Sequence, residues 1–118
     1  MGSRAEHAIV AADATGRITY WSSGAEELFG YRAEQAIGQT LDLIVPEPLR
    51  ERHWAGFRRA MLAPRVRDLA ADIPVRCADG QVRTLAGRLL VLSDALNQAI
   101  GAIGIFAAEG TTGRHPFG

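Results

Sequence analysis

Three apolar stretches in the second half of the chain, residues 66–76, 81–92 and 98–107, constrain the fold most. Only "CADGQ", with the Asp79-Gly80 turn pair, and "SDALNQ" separate them. Connections this short join antiparallel neighbours, because a parallel pair needs a crossover of about a dozen residues or more. In the first stretch Leu69, Ala71, Ile73 and Val75 fall on one face, and Asp68, Ala70, Asp72 and Arg76 on the other. In the second, Leu85, Gly87, Leu89 and Val91 share a face. Side chains alternate along a strand, so these patterns describe a meander with an apolar face that needs a cover.

The first half supplies two more strands and that cover. "HAIVAAD" and "ITYW" flank "ATGR" and read as a hairpin around Gly16. In "SGAEELFGY", Ser23 and Glu26 have the spacing of a capping box, with Gly30 as the stop, so a short helix begins at about Ser23. A second brief helical piece ends at Gly38, and Pro46 and Pro48 favour a new helix from about residue 48, closed by Pro64. The sum is an α+β fold: a five-stranded antiparallel sheet with short helices on one face, in a single domain whose core runs from about residue 6 to residue 111.

Within the third helix, "PEPLRERHWAGFRR" raises the functional question. His53, Gly56, Phe57, Ala60 and Met61 stand at i, i+3, i+4, i+7 and i+8, which is one helical face, while Glu51, Arg52, Arg58 and Arg59 lie mostly around the other side. The histidine therefore faces inward. A neutral imidazole in an apolar pocket, held in one tautomer by a partner on its other nitrogen, is a good iron ligand. The competing reading is a core histidine bonded to a backbone carbonyl.

Composition narrows the function classes. All 13 basic residues are arginine and are balanced by 13 acidic ones, which argues against nucleic-acid and membrane-surface binding. Without lysine there is neither Schiff-base nor Walker-type chemistry. The single Cys77 cannot form an internal disulfide, and the opening "MGSRAEH" has no signal-peptide h-region, so the expected location is the cytoplasm. No G-x-S-x-G elbow, clustered Ser/His/Asp or phosphate loop is present, so the chain does not read as an enzyme.

"DATGRITYWSSGAEELFGYRAEQAIGQ" resembles the core signature of the PAS domain family, and the likeness extends over roughly residues 6 to 111. Within that family, "IVPEPLRERHWAGFRR" is similar to the haem-binding PAS domains of bacterial oxygen sensors of the FixL and direct-oxygen-sensor types. The resemblance implies His53 as the iron ligand of haem b, with Phe57 one residue beyond the family's aromatic. It implies Arg59 and Arg65 as partners of the haem propionates, Arg65 standing where the family has histidine. The position of the family's oxygen-binding arginine corresponds to Ala71, and that of the direct oxygen sensor's ligating methionine to Leu69. With Gly87 and Leu89, these form a distal wall without a donor, which implies a poor oxygen binder that accepts CO or NO, unless Arg67 swings in.

The expected function is thus detection of a diatomic gas and signalling to an output partner. The alternative is a haem-free PAS module for dimerisation or for another small ligand. Outward Val82, Leu90 and Leu92 suit a homodimer face or a covering helix. His7 and His115 read as surface residues, Trp54 as an interface or loop-packing residue, and Gly87 as distal wall or close-packing site. Cys77 lacks the "NCRFLQ" context of photoactive relatives. "AEGTT" stands where PAS domains often carry D-x-T, the point from which signal passes to an output domain.

Overall fold

The computed structural model describes residues 7–62 and 68–115. Strands β1 (Ala8–Asp13) and β2 (Ile18–Trp21) open the chain, followed by helices α1 (Ser23–Phe29) and α2 (Ala33–Ala36). Two single 3-10 turns, Leu41–Leu43 and Glu47–Leu49, lead into α3 (Arg50–Leu62). Strands β3 (Asp68–Arg76), β4 (Val82–Ser93) and β5 (Ala99–Phe106) complete one antiparallel sheet in the order β2-β1-β5-β4-β3. The five strands and the helical block fall in the anticipated order, with the described strand ends within about one residue of expectation; the expected start of β3 at residue 66 and the helix stop at Pro64 lie outside the described residues.

The hairpin turns at Gly16, whose φ of 86° lies in the left-handed region that glycine enters without penalty. Helix α1 is capped by Ser22, not Ser23: the Ser22 Oγ accepts from the Ala25 N–H at 3.1 Å and from the Ile9 N–H at 2.8 Å. Glu26, expected to complete a capping box, accepts instead from the Ala33 N–H at 2.8 Å and ties α1 to α2. Gly30 ends α1 in the left-handed conformation with φ 86°, as its sequence context implied.

One sheet face carries the core. Val10, Ile18, Trp21, Ala71, Ile73, Val75, Leu85 and Phe106 are all buried there under the helices. Phe29 of α1 is fully buried between Trp21 and Phe106, with ring centroids at 5.5 and 5.3 Å in edge-to-face arrangements. Edge-to-face packing is the preferred geometry for such rings.

Strand β3 is a sheet edge, and its backbone is managed residue by residue. The Arg76 N–H donates to the Ile44 carbonyl at 2.8 Å and the Asp72 N–H to the Arg114 carbonyl at 2.7 Å. Pro74, between them, has no N–H to satisfy, which is the place where a strand tolerates proline. The alternation in the sequence put Asp72 on the polar outer face, yet the segment following β5 covers it and leaves it 8% exposed.

Candidate functional site

Helix α3 is fixed from its outer side. Arg50 donates from Nε to the Val45 carbonyl at 3.2 Å and from Nη2 to the Asp42 carbonyl at 3.3 Å. Trp54 donates from Nε1 to the Asp42 carboxylate at 2.7 Å and lays its ring over Gly16, where an added Cβ would come within 2.3 Å of ring carbons. Trp54 therefore packs on a neighbouring loop. These anchors turn the face carrying His53, Gly56, Phe57 and Ala60 toward the sheet.

Between that face and the sheet lies a cavity of about 610 Å³, within the range of small-molecule and cofactor sites. Helix α3 contributes His53, Phe57 and Ala60, the preceding loop Leu41, Ile44 and Val45, and the sheet Leu69, Ile73, Leu89 and Phe106, among others. Arg52 and Arg59 also line it, and both side chains are exposed, so they offer cations at an otherwise apolar cavity.

The His53 imidazole is largely withdrawn from water. Burial pushes its pKa below the ordinary value, and the Asp42 carboxylate pulls more weakly the other way. A neutral ring is what a metal ligand requires. It meets Trp54 edge-on with centroids 4.8 Å apart and Phe57 at 6.0 Å. Its Nδ1 is buried and has no hydrogen-bond partner among the described residues. The backbone-bonded core histidine weighed from the sequence is therefore not what occurs at Nδ1. Neither is the orienting partner that a liganding imidazole commonly has.

Of the residues singled out from the sequence, His53, Phe57, Arg59, Leu69 and Leu89 line the cavity together. Ala71 and Gly87 do not. They pair across β3 and β4 beneath the inner layer: a Cβ at Gly87 would stand 2.6 Å from Ile73 Cδ1 and 3.0 Å from the Phe106 ring. Gly87 thus permits close packing, and Ile73 and Phe106 form the wall there. Arg65 and Arg67 lie outside the described residues. Sequence reasoning overlooked Leu41, Ile44 and Val45, although the apolar "LDLIV" before the prolines was a visible signal. Among the described residues no group of three or more His, Cys, Asp or Glu is placed to hold a metal ion, and no helix is long and apolar enough to cross a membrane.

The sequence pattern of the PAS fold family matches residues 3–107. The chain belongs to the PAS family. Sensor protein FixL of Bradyrhizobium diazoefficiens is 44% identical over 46 residues, a match spanning 39% of this PAS domain and 9% of FixL. The crystal structure of a PAS domain from Colwellia psychrerythraea superposes with a TM-score of 0.74 at 28% identity, covering 85% of this chain and 83% of that one. The RpfR quorum-sensing receptor PAS domain of Cronobacter turicensis, in complex with BDSF, has the same fold, with a TM-score of 0.68 at 17% identity over 91% of this chain and 97% of that one. The cavity of this PAS domain lies between the sheet and the helix carrying His53.

Proposed function

We propose that this PAS domain is a cytoplasmic, non-enzymatic sensor that detects a diatomic gas through haem b held by His53, and signals to an output partner. The observation that carries the reading is His53 itself, a neutral imidazole on the wall of a large apolar cavity that arginines also line. The short identity with FixL supports it. Haem, when bound, supplies an iron centre able to take a gas molecule.

This chain's residues do the rest. His53 offers an imidazole nitrogen, and burial keeps the proton from competing for it. Phe57, Ile44, Val45, Leu69 and Leu89 exclude water and cover the apolar body of the group. Arg59 offers a guanidinium to a propionate, a pairing that suits its planar fork. Leu69 and Leu89 bring no donor to the sheet side, which favours CO or NO over oxygen. A gas can switch output only in so far as it binds two states of the domain with different affinity.

A second reading is a haem-free domain that holds another apolar small molecule. The partnerless Nδ1 of His53 favours it, and the RpfR relative was solved with BDSF. Under either reading the outer sheet face, where Tyr20, Val82 and Leu92 are exposed and Leu90 is half-buried, is proposed to pair two copies or to take a covering helix. The test is the visible spectrum with added haem, ferric and then reduced under CO, beside His53→Ala. A sharp Soret band that moves with CO and collapses in the variant is expected. No uptake, or uptake indifferent to His53, rejects the haem reading.

A further inference from the structure

Gly56 has no explanation in the fold. It sits at the centre of α3, a 13-residue helix, where glycine destabilises relative to alanine. It is not among the positive-φ glycines, so the backbone does not demand it. Packing does not demand it either: a Cβ built there meets no heavy atom within 4 Å, in contrast to Gly16 and Gly87. Yet Gly56 lines the cavity one helical turn beyond His53. What the missing side chain supplies is open space against the helix, beside the imidazole. Ala60, a further turn along the same face, also lines the cavity and is also small.

We infer that Gly56 determines what this cavity admits: it keeps open a slot along the inner face of α3, from His53 to Ala60, that takes the flat apolar body of a ring system. The inference rests on the haem reading for the identity of that ring. The slot runs about 10 Å, seven residues of helical rise, and Arg59 lies at its side for an anionic substituent. A larger helix-forming residue at 56, such as alanine or leucine, would project a side chain into this space, and the helix would gain stability as the site lost its ligand. A glycine placed mid-helix at a cost to its stability, with no backbone or packing need, is the pattern expected where function opposes stability.

The experiment compares wild type, Gly56→Ala, Gly56→Leu and His53→Ala, each titrated with hemin by absorbance and with metal-free protoporphyrin IX by fluorescence, and each melted without ligand. Both Gly56 variants are expected to melt higher than wild type. Affinity for both porphyrins should fall in order of side-chain size, by at least about tenfold for leucine, the scale of one overpacked contact. His53→Ala should lose hemin affinity while keeping protoporphyrin IX. Gly56→Leu binding protoporphyrin IX as wild type does would overturn the slot, as would wild type taking up none, or Gly56→Ala melting lower. If wild type binds protoporphyrin IX, loses it in Gly56→Leu, and takes up hemin regardless of His53, the slot stands and the iron-ligand reading fails. Should the leucine variant not fold, the alanine variant gives the same ordering on a smaller scale.

Discussion

Asp72 and Thr112, 40 residues apart in sequence, are joined by two hydrogen bonds: the Thr112 N–H donates to Asp72 Oδ1 at 2.6 Å and the Thr112 hydroxyl to the same oxygen at 2.8 Å. The Thr111 hydroxyl donates to Oδ2, and the Asp72 N–H donates to the Arg114 carbonyl. Asp72 is on the outer face of the same strand whose inner Leu69 and Ile73 line the cavity. The carboxylate thus holds the segment after β5 against the β3 edge.

Asp72→Ala is expected to release that segment. Limited trypsin digestion reads it directly, because cleavage after Arg114 requires residues 111–115 to leave the strand edge; the rate should rise several-fold, with Thr111→Val intermediate. An unchanged rate would mean the contacts do not hold the segment. The Thr111 hydroxyl and the Thr112 N–H are the main causes that lower the Asp72 pKa from 3.8 to about 2. A folded-state pKa depressed in this way gives stabilisation that is present above 3.8 and lost as pH falls through about 2. Following the Thr112 amide by NMR during acid titration checks the window.

His53 gives a separate acid response. Its folded-state pKa lies below the ordinary 6.5, so on acidification the unfolded chain binds the proton first. Stability is therefore expected to decline as pH drops below 6.5 toward the folded value. Urea midpoints measured across that range should show the slope in wild type and a flatter profile in His53→Leu; equal slopes would refute a buried neutral imidazole.

Gly16 and Trp54 form one support for α3. Gly16→Ala places a Cβ 2.3 Å from the indole at a φ of 86° and should cost about 1–3 kcal/mol. Trp54→Phe, which loses the bond to Asp42, should cost about 1 kcal/mol. In a Trp54→Ala background the Gly16→Ala penalty is expected to shrink, since the steric part vanishes. Denaturant melts of the double-mutant cycle measure the difference.

Phe29 is fully buried between Trp21 and Phe106. Phe29→Ala should destabilise by about 3–5 kcal/mol, the range for deleting a buried aromatic ring. Guanidinium unfolding gives the number, and a cost below 1 kcal/mol would show that the core closes over the gap.

Sequence by itself determined the elements and their order. Period-two alternation in "DLAADIPV", the turn pair Asp79-Gly80 and the prolines before α3 are local signals, and each acts through the backbone of a few residues. The inward direction of His53 followed from helical spacing for the same reason. Tertiary structure alone decided which inward residues border empty space. Leu69 and Ala71 share a strand face, yet Ile73 and Phe106 fill the layer over Gly87 next to Ala71, while Leu69 meets the cavity. It also decided that Asp72, polar and outward by its pattern, is covered by Thr111 and Thr112. Alternation fixes the side of a sheet on which a residue lies. What else occupies that side depends on contacts between segments 40 residues apart, which no local pattern encodes.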